Sequence, residues 1–85
     1  MTDHEFDILD ELYFPMSYPA LAKALDMDDG LLKATLGKLL ACGWVKCYLY
    51  PTDHAEADVS DFEAKYEKFH YLANKAGLLA HNSND

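Results

Sequence analysis

Two thiols and four imidazoles are the residues of this 85-residue chain best equipped for chemistry. Cys42 and Cys47, with His4, His54, His70 and His81, carry donors that could hold zinc or form a Cys–His nucleophile pair. Their spacing argues against both, because no Cys-x2-Cys or His-x3-His pairing occurs. Both cysteines sit in apolar stretches and, in a reducing compartment, read as buried structural thiols. No third group that would orient a nucleophile pair is legible, and domains this small rarely form an active-site cleft. Enzyme activity is not indicated, and no cofactor or metal is expected. The acids Asp53, Glu56, Asp58, Asp61, Glu63 and Glu67 lack the calcium-loop spacing with Gly at its sixth position. They read as a solvated charge run. Tyr48, Tyr50, Tyr66, Phe69 and Tyr71 could stack on bases, but aromatics this close to strands more often build core or an oligomer interface.

Charge is the stronger functional signal. The net charge is −8, and all seven basic residues are lysines; Arg and Gln are absent. Nucleic-acid-binding domains usually show a basic footprint, since neutralising phosphates supplies most of their affinity. Arg is the usual reader of guanine, and Gln shares adenine reading with Asn. Between residues 17 and 50 the balance is different: Lys23, Lys33, Lys38 and Lys46 against Asp26, Asp28 and Asp29 leave +1. The negative charge comes mainly from the N-terminal segment and the stretch after Pro51. No long apolar run occurs, so neither a signal peptide nor a membrane span is expected, and the default location is the cytoplasm.

The elements that must position these residues follow from caps and periodicity. Thr2 with Glu5 forms a capping box, and Phe6, Leu9, Leu12 and Tyr13 recur at helical steps until Pro15. Asp3, Glu5, Asp7, Asp10 and Glu11 are expected on the solvated side of that helix. Ser17 caps a short second helix with Pro19 in its first turn and Leu21, Ala22 and Leu25 inward. Asp28 caps a third, whose apolar stripe is Leu32, Leu36, Leu39 and Leu40 and whose end is Gly43. Residues 44–50 then read as a strand with Val45, Cys47 and Leu49 facing inward. In the last third, residues 69–73 can form a second strand followed by a helix capped by Asn74. Ser60 with Glu63 is another capping box, however, and Phe62, Tyr66, Phe69, Ala73, Ala76 and Ala80 align at helical spacing. One continuous helix over 60–80 is therefore the alternative. Aromatic density at 69–71 and Gly77 favour strand then helix, with one or two helical turns starting near Ser60.

Residues 21–45, LAKALDMDDGLLKATLGKLLACGWV, resemble the helix-turn-helix core of winged-helix transcriptional regulators of the MarR and PadR type. Leu21, Ala22, Leu25, Met27, Leu32, Leu36, Leu39, Gly43 and Val45 fill the places of that pattern. Ala73-Asn74-Lys75-Ala76-Gly77 echoes the Leu-Thr-x-x-Gly that opens the last helix in such proteins. The resemblance implies a mainly α fold with a small β wing: three helices, a two-stranded antiparallel hairpin and a short C-terminal helix. Chain length and composition give one domain over residues 1–81, with Asn82-Ser83-Asn84-Asp85 as a disordered tail. The resemblance also implies that the helix at 28–42 serves as recognition helix in DNA-binding relatives, and that homodimers are common.

The outward side of that helix is expected to carry Gly30, Ala34, Gly37 and Ala41, flanked by Lys33 and Lys38. DNA readers place Ser, Thr, Arg, Gln or Asn there to reach base edges. This side offers almost no donors, and Gly37 in mid-helix costs about 1 kcal/mol relative to Ala. Small residues permit close approach by another backbone. The expectation is a protein partner or a second copy of the chain, as for an adaptor or antirepressor-like module. The alternative is a DNA-binding regulator, with Lys33, Lys38 and Lys46 as phosphate contacts.

Overall fold

The computed structural model describes residues 1–49 and 59–83; Tyr50, Pro51, Asp53, His54, Glu56 and Asp58 lie outside the described residues, as do residues 84–85. The chain is mainly helical with a small antiparallel sheet. Helix α1 spans Asp3–Glu11, β1 Met16–Ser17, α2 Tyr18–Leu25, α3 Asp29–Cys42 and β2 Val45–Tyr48. A 3-10 turn at Val59–Asp61 leads into α4, Phe62–Lys65, and a second at Tyr66–Lys68 leads to β3, His70–Ala73, and α5, Lys75–Asn82.

Local capping chemistry sets most of these boundaries. The Thr2 hydroxyl accepts the Glu5 amide at 3.2 Å, while Glu5 Oε1 accepts the Thr2 amide at 2.8 Å, so two orphan donors of the first turn are satisfied reciprocally. Ser17 Oγ accepts from the Ala20 amide and Asp28 Oδ2 from the Leu31 amide, each at 3.3 Å. Asn74 Oδ1 accepts from the Gly77 amide at 2.9 Å and opens α5. Asp26 ends α2 in the left-handed region at φ 49°. Gly43 does the same for α3 at φ 78°, where a side chain would be strained.

One core joins the helices to the sheet. Leu21 of α2, Leu32, Leu36, Leu39 and Leu40 of α3, Val45 and Cys47 of β2, and Tyr71 of β3 are all buried in it. Helix α1 contributes Ile8 and Leu9, with Leu12 just after it, and packs on α2, α3 and α5. In the sheet β3 is central: Met16 pairs with Tyr71 and Ser17 with His70 on one side, while Val45 through Tyr48 pair with Ala73 through His70 on the other. Strand then helix is therefore the arrangement of 70–82, and the turns at 59–68 match the expectation of one or two helical turns near Ser60.

Five expectations need correction. The sheet has three strands and not two, because Met16–Ser17 adds to the free edge of β3. Cys42 is exposed, since it is the last residue of α3 and lies off the leucine stripe; Cys47 alone is buried. Leu49 is 38% exposed, because β2 ends at Tyr48 and nothing holds the next residue inward. Glu5 is buried and not solvated, since the capping box folds its side chain back over the helix start. Its bond to the Thr2 amide holds the Glu5 carboxyl below its ordinary pKa. Asn82 ends α5, and Ser83 follows with its hydroxyl on the Leu79 carbonyl at 2.8 Å, so these two belong to the helix end and not to a tail.

Candidate functional site

Helix α3 carries its leucine stripe into the core and leaves Gly30, Ala34 and Ala41 exposed and Gly37 half-buried on the opposite side. Together with Lys33 and Lys38 these residues line one open groove of about 630 Å³. All six residues expected on the outward face are thus brought together. Leu40 lines the groove as well, and Phe62 and Glu63 of α4 complete the lining.

The wall was not legible along α3, because it comes from a segment more than twenty residues later in the chain. Phe62 is buried, and its Cε2 atom lies 3.4 Å from where a Cβ at Gly37 would be, an ordinary contact distance, so the ring packs against the helix at this position. Glu63 Oε2 is 2.8 Å from Lys33 Nζ, and the same ammonium sits 4.8 Å from the Tyr66 ring centroid. The hydrogen bond from Lys33 to Glu63 raises the lysine's pKa and keeps it charged. Lys38 is exposed on the groove rim. Lys46 lies apart on β2, half-buried, with its Nζ 5.8 Å from the Tyr48 ring centroid.

A tyrosine network fixes α4 against the helices. Tyr18 Oη donates to Asp29 Oδ1 at 2.7 Å, and Tyr66 Oη donates to Asp29 Oδ2 at 3.4 Å. Tyr71 Oη donates to the Tyr66 carbonyl at 2.7 Å, and the Tyr18 and Tyr66 rings meet edge to face at 5.0 Å. Burial pushes the Tyr18 phenol pKa up, assisted by its bond to the Asp29 carboxylate; burial also pushes that of Tyr71 up. Both phenols are favoured neutral in the fold. Their stabilisation is therefore fully present below the ordinary tyrosine value of 10.0 and is lost as pH rises from there toward the shifted values. In an alkaline titration followed by tyrosinate absorbance, two of the six tyrosines should ionise only together with loss of the helical circular-dichroism signal. Six phenols titrating before any such loss would refute this placement.

The remaining chemical candidates have structural settings. The His81 ring stacks on Phe6 with centroids 4.2 Å apart, its Nδ1 is 2.9 Å from Tyr13 Oη, and its Nε2 is 3.2 Å from Asp10 Oδ1. These contacts tie the end of α5 to α1. Among the described residues no three His, Cys, Asp or Glu side chains gather as metal ligands would, and no helix is long and apolar enough to cross a membrane. No protein-family model, no curated protein and no solved structure matches this chain.

Proposed function

We infer that the chain is a small, acidic winged-helix regulatory module that acts by docking a protein, a second copy of itself included, on the outward face of α3. The observation that carries this reading is the groove at Gly30, Ala34, Gly37 and Ala41, apolar in its floor and walled by Phe62. Such a floor lets a partner helix or strand approach closely and gives base edges almost nothing to bond. The order α1-β1-α2-α3-β2-α4-β3-α5 and the antiparallel pairing of β2 with β3 support the winged-helix reading. The absence of Arg and the charge of −8 support a protein over a phosphate backbone.

The second reading, a DNA-binding regulator that uses α3 as recognition helix, is favoured by Lys38, which is exposed on the rim. Two measurements separate them. Ala34 is exposed, so Ala34→Glu should leave the fold intact while placing a carboxylate in the docked surface. Self-association measured by sedimentation should weaken by roughly a hundredfold or more, the effect of about 3 kcal/mol for an unpaired buried charge. A titration against duplex DNA over a range of salt is the counterpart. Tight binding that falls steeply with salt and is lost in Lys38→Ala would establish the DNA reading, as would a wild type that stays monomeric while binding DNA.

A further inference from the structure

The segment 62–66 lies along α3 as a matching strip. Phe62 meets Gly37, Glu63 meets Lys33, and Tyr66, just past α4, meets Asp29, so the segment runs forward as α3 runs back by one turn at each contact. Four-residue steps put positions 29, 33 and 37 on one line of the helix surface. That line includes Lys33, one of the two lysines that flank the outward face.

We propose that this strip is a built-in competitor for polyanions: Glu63 occupies Lys33 in place of an incoming phosphate, and Phe62 and Tyr66 fill the flank of α3 that a nucleic-acid groove would have to accept. The proposal rests on the reading of α3 as the second helix of a helix-turn-helix. The steric part follows from size. A helix with its side chains is about 10–12 Å across and the major groove about 12 Å wide, so the strip restricts how deeply α3 can enter, equally in wild type and in Glu63→Gln, and leaves the phosphates at the groove edge within reach of Lys33. The electrostatic part is the exchangeable one. Phe62 is buried and anchors the strip, whereas the Glu63 side chain is 80% exposed and can leave Lys33 without disturbing the core. Any phosphate that approaches this lysine must first displace a carboxylate already 2.8 Å away.

The test is fluorescence anisotropy with a mixed-sequence DNA duplex from low to moderate salt, using wild type, Glu63→Gln and Asp61→Asn. Asp61 is exposed immediately before this segment and carries the same charge, so it controls for net charge. Glu63→Gln should bind about fivefold more tightly at low salt, the factor an exposed ion pair is worth at its upper range. Its log–log salt slope should steepen by about 0.9, one additional phosphate contact. Asp61→Asn should show neither change, and adding Lys33→Ala to Glu63→Gln should cancel both. The proposal is overturned if Glu63→Gln does not exceed wild type, or if Asp61→Asn matches it. Failure of the docking reading has a different signature, since there the wild type itself binds DNA tightly and loses it in Lys38→Ala.

Discussion

Gly77→Ala should melt roughly 15 °C below the wild type, a loss of about 3 kcal/mol for a chain of this size. A Cβ at this position would lie 2.1 Å from the Trp44 carbonyl oxygen, 3.0 Å from the carbonyl carbon and 3.2 Å from Leu9 Cδ2. The carbonyl cannot step aside without loss, because it accepts the Asn74 amide at 3.0 Å. Nor can α5 pivot freely, since the Asn74 side chain accepts from Gly77 and donates to the Gly43 carbonyl. Alanine is the better helix former by about 1 kcal/mol, so a stabilised variant is the outcome expected from propensity alone. Thermal unfolding by circular dichroism decides the sign. A variant as stable as wild type would mean that α5 does not press on the corner between α3 and β2.

Phe62→Ala should cost about 3 kcal/mol, the lower range for truncating a buried phenylalanine, because its ring lies at the margin of the core. The ring faces Tyr66 with centroids 5.8 Å apart and Tyr71 at 6.4 Å, so its loss also loosens the tyrosine network around Asp29. The same substitution removes the wall of the α3 groove, so docking should fall together with stability. Phe62→Leu keeps most of the volume and should cost less than half as much, as volume-conserving changes do. Urea unfolding midpoints of the two variants give the comparison. Equal midpoints for Phe62→Ala and wild type would place Phe62 outside the core and leave the groove unwalled.

The features legible from sequence are those whose causes are local. Thr2 with Glu5, Ser17, Asp28, Gly43 and Asn74 each act within a few residues of themselves, and the structure places a helix end at every one. The stripe Leu32, Leu36, Leu39 and Leu40 announced its own inward face and, by subtraction, the outward one. The features not legible from sequence depend on partners far along the chain. Met16–Ser17 carries no strand signal of its own and is a strand only because His70 and Tyr71 lie beside it. Phe62 and Glu63 read as part of an amphipathic turn within an acidic run, and nothing local ties them to Gly37 and Lys33. Gly37 gives no firm pointer to them, because a Cβ at this position would meet the Phe62 ring at an ordinary 3.4 Å and the contact does not require a glycine. Cys42 and Leu49 face solvent for a related reason. Each stands at the end of an element, where periodicity no longer says which side is inward.

The position of β3 bears on how the molecule assembles. Both outer strands depend on it, and residues 16–17 must wait for residues 70–71, more than fifty residues further along the chain. The leucine-rich segments that precede β3 are therefore left with an uncovered apolar surface until residues 70–71 are available. Folding is expected to be a single late step in place of a progressive one, with loop closure over more than fifty residues setting its rate. During that wait, the nascent chain is most exposed to aggregation and to capture by chaperones.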